Sequence, residues 1–117
     1  MKRTLVPIAL AAFVLALTPA AAAPRPKTVK VGDFFFAPTS LTVRKGTLVR
    51  FNWVGLAEHN VTKSKGPGRF FQSKTQAGEG VLYKRRFRKT GRYRLVCTLH
   101  ADDMKMGLRV KRKRRRG

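Results

Sequence analysis

From residue 27 to residue 111, apolar and polar side chains alternate with a period of two in short runs punctuated by turn residues. Alternation of this kind places successive side chains on opposite faces of a strand, and no helical spacing competes with it. Val29 and Val31 alternate with lysines and lead through Phe34-Phe35-Phe36 to Ala37-Pro38, which reads as one strand ended by a turn. Leu41 and Val43 form the next run. After Lys45-Gly46, Val49, Phe51 and Trp53 alternate with Arg50 and Asn52. His59-Asn60-Val61-Thr62 opens a further strand behind a loop at 55–58, and residues 63–69 and 72–80 read as polar loops. Val81, Tyr83, Arg85 and Phe87 share one strand face; Tyr93, Leu95 and Cys97 point inward on the next; Leu108 and Val110 mark the last. Seven or eight strands at this spacing in so short a chain imply an all-β sandwich of two packed sheets.

The two ends of the chain differ from its middle. Lys2-Arg3 heads an apolar stretch from Leu5 to Leu17, and small residues follow at 20–23. This is the pattern of an export signal peptide over residues 1–23, and about 13 apolar residues fall short of the roughly 20 needed to span a bilayer. The expected location is therefore outside the cytoplasm, in a periplasm, cell envelope or extracellular space. Residues 24–111 form the expected domain and 112–117 a basic, disordered tail. A domain of this size has a modest core, and small exported domains often add disulfides. Cys97 is the only cysteine, so no internal disulfide is available; a bound metal would protect such a thiol.

Lysine and arginine number 27 against 5 acidic residues, a formal charge of +22, or +20 without Lys2 and Arg3. Such a field attracts anionic surfaces at long range without naming one. Export argues against an intracellular nucleic-acid role, and Phe35, Phe51 and Trp53 suit a core better than a base-stacking platform. An acidic redox partner, anionic envelope polymers or lipid headgroups are the expected partners, the latter two through the basic tail, with the chain itself monomeric.

Chemistry concentrates in Cys97-Thr98-Leu99-His100-Ala101-Asp102-Asp103-Met104-Lys105-Met106-Gly107. The other histidine, His59, sits at a comparable loop–strand boundary. Two imidazoles, a thiolate and a weak thioether are the ligand set of a trigonal copper site with a long axial bond. Strand ends of a sandwich gather at its poles, so these residues can meet at one pole, His59 deeper and His100 nearer solvent. Met104 is the favoured thioether and Met106 the alternative. Asp102 and Asp103 would suit a harder metal.

The stretches Asp33-Phe34-Phe35-Phe36-Ala37-Pro38, Leu41-Thr42-Val43-Arg44-Lys45-Gly46, His59-Asn60-Val61-Thr62 and Gly91-Arg92-Tyr93-Arg94-Leu95-Val96-Cys97-Thr98-Leu99-His100 resemble the cupredoxin superfamily. The resemblance is to its small blue copper proteins of the plastocyanin, pseudoazurin and amicyanin group. It implies a Greek-key sandwich with one type 1 copper ion held by His59, Cys97 and His100, and a methionine as axial ligand. The sequence departs from the family in the methionine spacing, four and six residues after His100. The resemblance further implies that the Asn60 side chain hydrogen-bonds to Thr98 while its backbone N–H points at the Cys97 sulfur, clamping the two halves of the site.

The function implied is one-electron transfer without catalysis. No serine–histidine–aspartate set or carboxylate pair suggests an enzyme. An apolar patch of Gly55, Leu56, Ala57, Leu99, Ala101 and Met106 around His100 would receive the partner. The competing readings are an exported copper storage or delivery protein, and a basic envelope protein with a degenerate site.

Overall fold

The computed structural model describes Thr4 and residues 23–113. The expected signal peptide, apart from Thr4 and Ala23, and residues 114–117 of the expected tail lie outside the described residues. In chain order the strands are β1 (Lys27–Gly32), β2 (Phe35–Ala37), β3 (Ser40–Arg44), β4 (Thr47–Trp53), β5 (Thr62–Lys65), β6 (Gly80–Phe87), β7 (Gly91–Val96) and β8 (Lys105–Lys111). They form two four-stranded sheets, β2-β1-β4-β6 and β3-β8-β7-β5. β1 runs parallel to β4 and β3 parallel to β8, while the other neighbours are antiparallel. The chain crosses between sheets, as a Greek-key sandwich requires, and the alternating residues of both inner faces fill one core. Val29, Val31, Val49, Phe51, Trp53 and Leu95 are all at most 1% exposed.

Three segments differ from the pattern read in the sequence. The first run is two strands, because the chain reverses at Asp33-Phe34 and β2 folds back antiparallel on β1. Phe34 takes φ 69°, a left-handed conformation rare for a bulky residue. Three adjacent aromatics cannot all face one core: Phe36 is buried, whereas Phe34 and Phe35 are exposed. The second difference lies at 59–65, where the strand begins only at Thr62 and includes Lys63, expected in a loop. Lys63 is buried because its ammonium donates to the carbonyls of Pro67, Gly68 and Arg69 at 2.6, 2.8 and 3.2 Å. A turn wrapped around a cation satisfies it away from water. In β6, a register shift at Phe51/Asn52 leaves Val81 exposed while Leu82 and Tyr83 pack on the core.

One pole of the sandwich gathers the Asp33-Phe34 reversal, the 54–59 loop, the start of β6 and the 97–104 loop. The opposite pole holds the Lys45-Gly46 turn, the 88–91 turn and the end of β8.

Candidate metal centre

Cys97 follows β7 at the first pole with its side chain fully buried, continuing the inward series of Tyr93 and Leu95. Thr98–His100 make one 3-10 turn, after which the loop closes on itself. The Met104 N–H donates to the His100 carbonyl at 2.8 Å, and the Cys97 N–H to the Met104 carbonyl at 3.0 Å. These bonds bring both ends of the loop together. His59 arrives from the facing side, completely buried, its backbone paired both ways with Gln76 at 3.0 Å. The ligand atoms of His59, Cys97 and His100 all lie within 4.8 Å of one another.

The Cys97 sulfur is 3.9 Å from His59 Nδ1. That is long for a hydrogen bond and suits a shared ion. Metal–sulfur and metal–imidazole bonds of about 2.3 and 2.0 Å at a trigonal angle separate S and N by ~3.7 Å. A thiolate with two imidazoles is a soft, nitrogen-rich donor set that suits copper. The residues present therefore fit a copper ion. His100 is partly exposed and His59 buried, as expected. Asp102 and Asp103 are exposed and stand outside the cluster.

The two methionines separate clearly. Met104 closes the ligand loop with its side chain fully buried. Met106 pairs with Leu95 on β8 and continues inward with Leu108 and Val110. It is thus a core residue and leaves the apolar rim expected to include it.

Asn60 forms the side-chain half of the anticipated clamp, whereas among the described residues no hydrogen bond joins its backbone N–H to the Cys97 sulfur. Its Oδ1 accepts from the Thr98 N–H at 3.0 Å and the Thr62 hydroxyl at 2.8 Å. Its Nδ2 donates to the hydroxyl oxygens of Thr98 at 2.7 Å and Thr75 at 2.9 Å. Buried and with all four bonds made, it ties the His59 segment to the Cys97 loop and to the 72–76 segment.

Asp33 and Phe34 are contributions that strand patterning missed. The Asp33 carboxylate accepts from His59 Nε2 at 2.9 Å and from the N–H groups of Leu56 and Ala57 at 3.0 and 2.9 Å. The Leu56 N–H foremost, then His59 and the Ala57 N–H, lower its pKa from 3.8 to about 2. With Nε2 carrying the proton, Nδ1 presents its lone pair toward Cys97, the usual way a carboxylate fixes a ligating imidazole. A Cβ at Gly55 would lie 2.3 Å from Asp33 Oδ1, so only glycine lets the carboxylate come this close. The Phe34 ring stands edge-on to His100, centroids 4.6 Å apart. The signal for Asp33 was its rarity, one of five acids in a basic chain, placed where a strand must end.

The exposed apolar rim is Phe34, Phe35, Val54, Leu56 and Leu99, with Leu56 88% exposed. The acids gather at this pole as well. Asp33 touches His59, Glu58 precedes it, Asp102 and Asp103 lie in the ligand loop, and Glu79 adjoins the Gly80–Trp53 pair. The large positive charge therefore resides elsewhere on the molecule.

An eight-stranded sandwich with a His-Cys-His cluster at one pole defines a cupredoxin domain of the type 1 blue-copper kind. The sequence profile of copper binding proteins of the plastocyanin/azurin family matches residues 26–111, and the chain belongs to that family. No curated protein sequence matches it significantly. Among solved structures, it is similar to a Cu-containing nitrite reductase from Thermus scotoductus SA-01, with 25% identity over 86% of this chain and a TM-score of 0.68. The chain spans only 25% of that enzyme's length. The reduced Cu(I) form of an amicyanin mutant aligns at 22% identity and TM-score 0.65, covering 79% of this chain and 85% of that one. A pseudoazurin from Sinorhizobium aligns at 19% identity and TM-score 0.59, covering 74% of each.

Proposed function

We propose that the protein is a non-enzymatic, exported one-electron carrier whose copper is held by His59, Cys97 and His100, with Met104 as the weak axial donor. The observation that carries this reading is the convergence of three ligand atoms within 4.8 Å at a pole whose rim is apolar. Copper bound there supplies a reversible Cu(II)/Cu(I) couple. The chain supplies rigidity: Asp33 fixes the His59 ring, Asn60 locks the Cys97 loop to it, and the Met104 backbone closes that loop. A site that holds its shape suits a couple whose two states favour different ligands.

Partly exposed His100, set among Phe34, Leu56 and Leu99, is the point of contact for a redox partner. Small apolar contacts of this kind serve weak, rapidly exchanging encounters. The acidic partner that net charge alone suggests would be drawn to the basic body of the molecule. The copper pole itself suits a partner with an apolar, non-acidic face.

The test is an optical Cu(II) titration of the purified protein and of Cys97→Ser, followed by reduction and reoxidation. An intense visible thiolate-to-copper band, absent in the variant and reversibly bleached, is expected. Met104→Leu should raise the reduction potential because Cu(II) loses a donor, while Met106→Leu should leave it in place. Tight binding without that band would point to storage or delivery. A shift confined to Met106→Leu would overturn the axial assignment.

A further inference from the structure

The outer face of the β3-β8-β7-β5 sheet carries a charge pattern that the copper site does not use. Alternation sends Arg92 and Arg94 of β7, Arg109 and Lys111 of β8, and Arg44 of β3 to solvent, all exposed. Arg92 stands directly opposite Arg109, and Arg44 opposite Lys111. Like charges paired across strands destabilise a sheet. Among the described residues no lysine or arginine forms an ion pair that would relieve this repulsion. All five acids lie at the copper pole.

Between these cations runs a trough floored by Ser40, Thr42 and Gly107 and bordered by Lys65, Arg92 and Arg109. A Cβ at Gly107 would meet no atom within 4 Å, so packing does not demand a glycine in the middle of β8. Glycine inside a strand weakens it and commonly marks the close approach of a ligand. At Thr42 the trough meets a second concavity, which Arg25, Lys27, Arg44, Lys111 and Arg112 surround. The two make one basic track from the sheet face around the sandwich edge to β1.

We propose that this track binds a flexible linear phosphate polymer that carries no bases, such as polyphosphate, through its phosphates alone. The curvature of the track around an edge suits a chain that can bend, whereas a planar bilayer would meet only one face. No large exposed apolar side chain borders the track to enter a membrane or stack on a base. Arginine predominates along the sheet face, and its fork matches phosphate oxygens. Binding there leaves the His100 pole free and does not depend on copper.

The test measures binding of long-chain inorganic polyphosphate to the purified protein across a salt series. Two triple variants with the same change in net charge are compared with wild type. One is Arg92→Gln/Arg94→Gln/Arg109→Gln on the track, and the other Lys30→Gln/Arg50→Gln/Lys84→Gln on the opposite sheet. If each lost arginine is one phosphate contact, the track variant should lower the log–log salt slope by about 2 and affinity by roughly 10-fold or more. The opposite-sheet variant should change affinity less than about threefold, as long-range charge alone would. Melting temperatures verify that both variants fold. Equal losses in the two variants would show attraction by net charge only and overturn the site. Tighter binding to oligo-dT of matched charge, or to phosphatidylglycerol vesicles at matched phosphate, would overturn the choice of a base-free polymer.

Discussion

Replacing Asn60 with alanine removes the only side chain among the described residues that bonds the His59 segment, the Cys97 loop and the 72–76 segment at once. Four hydrogen bonds are lost. The hydroxyl oxygens of Thr75 and Thr98 belong to exposed residues and can turn to water. The Thr98 N–H and the hydroxyl of buried Thr62 instead face the space that Asn60 filled. Leaving a buried polar group unpaired costs about 1–3 kcal/mol, so two such groups give a loss of about 3 kcal/mol. For a domain of this size that corresponds to a fall in Tm of roughly 12–24 °C. Urea denaturation of the metal-free protein measures it, and Asn60→Asp, which keeps an acceptor oxygen for the Thr98 N–H and the Thr62 hydroxyl and loses only the donors, should recover most of the loss, less the cost of burying a carboxylate. A loss below about 1 kcal/mol with unchanged m would refute the reasoning, because it would mean that water replaces the clamp at no cost.

Three further outcomes follow from particular contacts. Asp33 has a folded pKa of about 2 against an ordinary 3.8, so its stabilising effect is complete above about pH 4 and is lost as pH falls toward 2. The melting temperatures of metal-free wild type and Asp33→Asn should therefore converge over that window; a constant gap would show that the carboxylate charge is not what matters. Lys63→Met keeps an apolar stem but leaves the carbonyls of Pro67, Gly68 and Arg69 without their donor, so the 66–69 turn should loosen and lose about 1–3 kcal/mol. Limited proteolysis within 66–69 reads this, and unchanged protection would count against it. Gly55→Ala should displace the Asp33 carboxylate from His59, given the 2.3 Å approach. The imidazole Nε2–H resonance of His59, shielded from exchange in wild type, should then exchange faster, with an unaltered rate arguing that the loop yields instead.

Much of this architecture was legible because burial repeats locally. A strand with one face in the core must alternate, and Val49-Phe51-Trp53 or Tyr93-Leu95-Cys97 can be assigned from spacing alone. The metal cluster was legible for a related reason. Cysteine and histidine are rare in this chain, and the 97–107 loop places donor chemistry at a strand end, where a pole must be.

Other features depended on contacts between residues far apart in the chain. Phe34-Phe35-Phe36 looks like uninterrupted strand until Asp33 is seen accepting from Leu56, Ala57 and His59, more than 20 residues away. That network reverses the chain and sets Phe34 against His100. Lys63 reads as loop because nothing in its neighbours announces that three carbonyls will enclose it. Met104 and Met106 are two residues apart and equivalent in composition, yet the backbone of one closes the ligand loop on the His100 carbonyl while strand register sends the other into the core beside Leu95. Charge divides in the same way: the sequence by itself determined how many cations and acids there are, how the strands alternate and which donors exist. Only the tertiary structure decided that the acids gather around the metal centre and the arginines line a track away from it, because side-chain position in space follows from strand pairing across long separations in the chain.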